Sequence, residues 1–134
     1  MNKLPLALLS LRISIFAVML MWTLDKFYNP AHAIAVYRKF YHIGGVNELV
    51  IYLIAGAEML LLIVFLFGIK RTFSYGLVFL LHGVSTFSAW QQYSHPFEGP
   101  NLLFFAAWPM LAACFTLFLF RDQDNLLNIQ IRIK

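Results

Sequence analysis

The sequence predicts an all-α integral membrane protein: a four-helix up-down bundle with a short interfacial helix between spans one and two, and both termini cytoplasmic. Three observations carry this expectation. Of 134 residues 61% are hydrophobic and 12% charged, with a mean hydropathy of +0.74, which is too apolar for a soluble domain of this size. Apolar runs at 13–28, 46–68, 72–93 and 101–120 recur along the chain, separated by short polar stretches. Lys and Arg gather at the ends of those runs, where they set topology. No polar segment is long enough for a second domain, so residues 1–134 read as one membrane-embedded unit. The net charge of +4 follows from these flanking residues and does not point to nucleic acid.

The first run carries Lys3 and an apolar stretch that could open a signal peptide, but Arg12 interrupts it. The only A-x-A triplet nearby, Ala31-His32-Ala33, follows Asp25, Lys26 and Pro30, a poor context for cleavage. Span one is therefore placed at 13–28, with the preceding residues continuing the helix into the inner interface. Asn29-Pro30 reads as an N-cap followed by proline in the first turn. Residues 30–43 carry Ile34, Tyr37 and Tyr41 on one face, too short and polar a stretch to span, so a helix lying at the interface is expected. Gly44-Gly45 closes it. Lys70-Arg71 makes the tight turn between spans two and three. A proline- and glycine-containing loop at 94–100 precedes span four, in which Pro109 is expected to kink the helix and free a carbonyl. Asn125–Lys134 reads as a peripheral tail.

Topology follows from the basic residues. Lys3, Arg12, Lys70, Arg71, Arg121, Arg132 and Lys134 fall on one side, and Lys26, Arg38 and Lys39 on the other. This places both termini in the cytoplasm of a bacterial-type inner membrane, with membrane lipids as the immediate partners. The single cysteine, Cys114, excludes an intramolecular disulfide, a CxxC redox pair and a cysteine-based zinc site. No metal site is expected. Haem is not expected either, since His82 is the only mid-span histidine, with His32, His42 and His95 in outer loops.

The candidate site lies on the hairpin of spans two and three. Glu58 precedes Lys70 by 12 residues and His82 follows it by 12. At 1.5 Å per residue both stand about 18 Å from the turn, near mid-bilayer. Ionisable groups at that depth are costly and mark functional candidates. From His82 a polar stripe runs through Ser85, Thr86 and Ala89 to Gln92 on the outer side. Asp25, Lys26 and Glu48 are expected near its top, with Lys26 pairing either with Glu48 or with an anionic ligand. The ligand-binding candidates are thus Glu58, His82, Lys26, Asp25, Glu48 and Gln92. Two accounts of Glu58 and His82 stand side by side: a site for protons or a small polar headgroup such as a quinone, and an interhelical hydrogen bond that locks the bundle. Trp22, Trp90 and Trp108 read as interface anchors or packing rather than a binding box.

Arg12 opening span one, Leu24-Asp25-Lys26-Phe27-Tyr28-Asn29-Pro30 closing it, and Gly56-Ala57-Glu58-Met59-Leu60 with Gly68 in span two resemble the DoxX-like family, which includes the MauE type of small four-helix membrane proteins. The resemblance covers residues 12–120. It implies a redox-associated membrane role, with Lys26 and Glu58 at family-type positions and a quinone as the ligand. Two function classes follow: a redox subunit or quinone-binding component, and a non-catalytic protein that assembles a larger membrane complex or homo-oligomer. Whether the chain is itself an enzyme stays open. A transporter fits less well, because four spans lack the paired broken segments of alternating-access folds.

Overall fold

The computed structural model describes residues 3–129, and among these every regular element is helical. Ile131, Arg132, Ile133 and Lys134, which enter the tail and topology arguments above, lie outside the described residues. Helix α1 (Leu4–Tyr28) starts with Pro5 in its first turn, where the missing N–H costs nothing. Helix α2 (Pro30–Tyr41) begins as the sequence suggests, the Asn29 side chain accepting from the His32 amide. It ends before Gly44-Gly45, because His42 itself takes the left-handed conformation and Ile43 donates back to the Tyr37 carbonyl. Asn47 caps α3 (Glu48–Leu66) through the Val50 amide.

Two elements differ from the expected spans. Span three is α4 (Arg71–Ser88), which breaks at Ala89 and resumes as the short α5 (Trp90–Ser94). Span four opens as a 3₁₀ segment, Asn101–Ala106, and becomes α-helical only in α6 (Ala107–Leu119). Pro109 therefore sits in the first turn of α6 rather than kinking a helix at its middle, the one place in a helix where proline forfeits no bond.

Helices α1, α3 and the 3₁₀ segment with α6 are each long and apolar enough to cross a membrane. Helix α4 is 18 residues long but less apolar, and its polarity faces inward. Ser74, Tyr75, His82 and Thr86 are buried, while Phe73, Leu80, Val84 and Phe87 face out. A helix with its polar face inside and its apolar face outside suits a surrounding apolar solvent.

Packing is densest between α1 and α3 and between α4 and α6; smaller contacts of α3 with α4 and of α1 with α6 close the ring. The hairpin of α3 and α4 is thus not the dominant pairing. Neighbours run in opposite directions: Arg12 lies by Gly68 while Lys26 reaches Glu58, and Gly76 meets Phe118 while Gly83 meets Leu111. Those two glycines, rather than Gly56 and Ala57, which are exposed, provide the close approach between helices. Leu8, Ile15, Met19, Leu62, Phe65, Tyr75, Val78 and Leu117 form the core.

Arg12 is not an interfacial topology marker. Its side chain is completely buried, one face of α1 carrying Leu8, Arg12, Ile15, Met19 and Thr23 inward at helical spacing. Its Nη1 donates to the Tyr75 hydroxyl and to Asn128 Oδ1, each at 3.1 Å, and its Nη2 donates to the Leu126 carbonyl. Asp124, also fully buried, lies 3.5 Å from the guanidinium and accepts from Tyr75 at 2.6 Å. Arg71 donates to the carbonyls of Arg121 and Asp124. The segment after α6 is consequently no free peripheral tail up to Ile129, whose amide donates to the Phe67 carbonyl. The end of the helices nearest the α3–α4 turn thus holds a buried ionic cluster.

Gly68 is required by that cluster. Its φ is +61°, and a Cβ there would collide with the Asn128 side-chain oxygen and stand 2.6 Å from Arg12 Nη1.

Removing one charge of a buried pair strands the other. Arg12→Leu and Asp124→Leu should each destabilise the fold by about 3–5 kcal/mol, whereas the double substitution should cost less than either alone. Thermal unfolding in mild detergent measures this; additive losses in the double variant would mean that the two side chains are not coupled.

Candidate functional site

At the other end of α1 the same inward stripe continues to Thr23, with Lys26 one turn further. Lys26 Nζ donates to Glu58 Oε2 at 2.9 Å, and Thr23 Oγ1 donates to the same oxygen at 3.1 Å. The expected partner of Lys26, Glu48, is instead an exposed residue in the first turn of α3. Ten residues separate Glu48 from Glu58 along α3, about 15 Å, so only the deeper carboxylate lies level with Lys26. Both members of the pair are largely shielded, at 15% and 18% exposure. Asp25, pointing away from Lys26, meets His32 of α2 at 2.5 Å in a more open position.

His82 is buried on α4. Its Nε2 donates to the Ala107 carbonyl at 3.1 Å, at the junction of the 3₁₀ segment with α6, and lies 3.3 Å from Thr86 Oγ1. The Thr86 hydroxyl donates to the His82 carbonyl. With the proton fixed on Nε2, Nδ1 keeps a lone pair, and this buried atom has no hydrogen-bond partner. Trp22 stacks on the imidazole, ring centroids 5.9 Å apart and planes 24° apart. Glu58 and His82 are therefore held by different neighbours, α1 and α6 respectively, and no hydrogen bond joins them.

A cavity of about 880 Å³ brings these groups together. Asp25, Lys26, Glu58 and His82, four of the six residues singled out in the sequence, line it. Glu48 and Gln92 do not. Gln92 is buried on α5 beyond the break at Ala89, with its Oε1 unpaired, so the polar stripe stops short of it. Aromatic rings form much of the wall: Trp22, Tyr37, Phe40, Tyr41, Tyr93 and Phe104. Trp22 is thus part of the cavity as well as a surface residue, while Trp108 packs against Phe87 and Tyr93.

Sequence reasoning missed Thr23 and Tyr37. The signal for Thr23 was its place one turn before Lys26; for Tyr37 it was a polar tip on the apolar face of α2. Helix α2 packs on α1, α3 and α4, so that face covers the cavity. The two carboxylates of the lining, Asp25 and Glu58, each meet a basic partner, His32 and Lys26. Among the described residues no group of histidine, cysteine and carboxylate side chains could hold a metal ion.

Tyr37 reports on this arrangement. Burial, then the Glu58 carboxylate and then Tyr41 push its phenol up from 10.0 to about 12. The folded chain thus holds this proton more tightly than the unfolded chain, so stability declines as pH rises from 10 towards 12. Glu58→Gln should lower the Tyr37 pKa and shrink its share of that decline. Tyrosinate absorbance, read as the difference between each protein and its Tyr37→Phe counterpart, checks this; an unchanged titration would separate Tyr37 from Glu58. Comparison of the chain with family models, with curated proteins and with solved structures finds no match.

Proposed function

We propose that the chain is a multi-pass protein of a bacterial-type inner membrane whose cavity receives the headgroup of a quinone-type redox carrier. In this reading α1, α3, α4 and the 3₁₀ segment with α6 are the four spans of an up-down bundle, α2 lies at the outer interface, and both termini are cytoplasmic. The basic residues support that orientation: Lys3, Lys70, Arg71 and Arg121 flank one end of the helices, Arg38 and Lys39 the other. Arg12, being buried, drops out of the count. The resemblance to DoxX-like proteins supports a small redox-associated subunit or accessory protein.

One observation carries the ligand reading: a single cavity with aromatic walls contains both a shielded ion pair and a buried, unpaired imidazole nitrogen. Among the described residues with a buried, unpartnered side-chain nitrogen or oxygen, His82 is the one that also lines the cavity. The donor set fits a planar headgroup with oxygens. Lys26 can donate to a carbonyl oxygen, and His82 Nδ1 can accept from a hydroxyl. Trp22 and Tyr37 offer flat apolar surface to a ring. Because Lys26, the one lysine or arginine of the lining, is already paired with Glu58, the site favours a head without net charge over a phosphate.

A quinone, when bound, supplies two-electron, two-proton redox chemistry. The chain's own part is to bind and orient the head, exclude water with α2, and hold protons at the Glu58 carboxylate and at His82 Nδ1. His82 is kept in one tautomer by the Ala107 carbonyl, so Nδ1 is the atom left to exchange a proton. Thr23 and Lys26 fix the Glu58 carboxylate.

Organic extraction and mass spectrometry of protein purified in mild detergent test the proposal. Quinone close to stoichiometric is expected in the wild type and should be lost from a folded Glu58→Gln/His82→Ala double variant. Bulk phospholipid alone in both would reject the quinone site and turn the reading to a non-catalytic assembly protein.

A further inference from the structure

The cavity does not end at its polar groups. On α1 its lining runs from Lys26 and Asp25 through Trp22 to Val18, Ile15 and Leu11, one face of the helix over 15 residues, or about 22 Å. On α6 it runs from Ala107 through Met110 to Ala113. Charge and shape are graded along this path. Asp25, Lys26, His32 and Glu58 cluster at one end. Towards Leu11 the lining is aliphatic, and its one hydroxyl, Ser14, donates to the Ser10 carbonyl of its own helix. The alanines of α6 leave room between the two helices, and the exposure of Val18 (38%) and Ser14 places this part of the cavity at the outer surface of the bundle.

We infer that the cleft between α1 and α6 is a lateral entrance that seats the apolar chain of an isoprenoid quinone while its head occupies the Lys26–Glu58–His82 end. This rests on the headgroup reading above and specifies the ligand as a lipid that enters sideways from the bilayer rather than a water-soluble molecule. The segment from Trp22 to Leu11 gives the chain about 16 Å of wall before it leaves the protein. A two-chain anionic lipid fits less well, since the cleft is a single path and neither basic residue at its polar end lacks a carboxylate partner. Inside a bilayer the chain gains little from leaving lipid for protein, because both are apolar. The cleft therefore acts by admitting the chain sterically, and blocking it is the informative change.

The test measures quenching of tryptophan fluorescence in detergent-purified protein by two probes: a benzoquinone with a long isoprenoid chain and a tail-less methyl-substituted benzoquinone. Ala113→Phe plugs the cleft from α6, and Val18→Phe plugs it from the exposed edge of α1. Each should weaken the tailed quinone by about tenfold or more, the size of a steric overpacking penalty, and leave the tail-less one within about twofold. Retained binding of the tail-less probe also certifies that the variant is folded. If both probes bind the wild type and neither plug discriminates between them, the lateral entrance is wrong while the headgroup site stands. Loss of both probes alike in both plugged variants likewise overturns the tail assignment. Failure of both probes to bind the wild type overturns the headgroup reading itself, and binding of the tail-less probe alone overturns the tail assignment.

Discussion

A guanidinium with no solvent exposure governs how this bundle is assembled. Arg12 lies two turns inside α1 among leucines and isoleucines, and taking its charge out of water costs several kcal/mol. That cost is tolerable only where Asp124 supplies the opposite charge and Tyr75, Asn128 and the Leu126 carbonyl accept its hydrogens. Satisfying one side chain thus draws in α1, α4 and the segment beyond α6. It also fixes the rotation of α1. Because Leu8, Ile15, Met19 and Thr23 share its face, orienting Arg12 inward turns Thr23 inward as well and brings Lys26 to Glu58 about 21 Å further along the axis. The Arg12 cluster is in this sense the register pin of the Lys26–Glu58 pair.

Much of the frame was legible in the sequence because its signals are local. The Asn29-Pro30 and Asn47 caps, the Lys70-Arg71 turn and the apolar runs depend on a few neighbouring residues, and the helices start close to where those signals stand. Glu58, His82, Lys26 and Asp25 were also readable as a group, since an ionisable residue in an apolar run narrows the choice sharply. Rotation and long-range pairing were not readable. Counting basic residues treats Arg12 like Lys70, although one is fully buried and the other caps a turn at φ +47°. The partner that changes its meaning, Asp124, is 112 positions away. Glu48 and Gln92 were grouped with the site by depth alone. A first-turn position on α3 leaves one exposed, and the break at Ala89 separates the other from the polar face of α4.

Helix α4 explains why hydropathy undervalues one segment. Its residues are averaged along the chain, whereas a surrounding solvent meets only one face. Phe73, Leu80, Val84 and Phe87 lie outward, and the polar residues that lower the average face α3 and α6. Tyr75 serves the inner cluster and His82 the cavity, so a single helix supports both polar centres. The glycines between them, Gly76 and Gly83, let α6 approach closely enough for the Ala107 carbonyl to reach His82.

Both centres contain buried charge, and the difference between them is why we propose a ligand at one and a structural role for the other. None of Arg12, Tyr75 and Asp124 lines the cavity; their bonds run to the chain itself, including backbone carbonyls beyond α6. Such a cluster closes a structure. Lys26, Glu58 and His82 border open volume, with flat aromatic walls and one nitrogen whose lone pair the chain leaves unmet. An unmet buried atom alone does not separate the two centres, because Arg12 Nε and Asp124 Oδ1 also lack partners; the open volume bordered by Lys26 and Glu58 does. We propose an external ligand for that volume. With Lys26 paired with Glu58, an added phosphate would be desolvated with no unpaired lysine or arginine of the lining to match it. The uncharged, oxygen-bearing ring we propose would leave the Lys26–Glu58 ion pair intact.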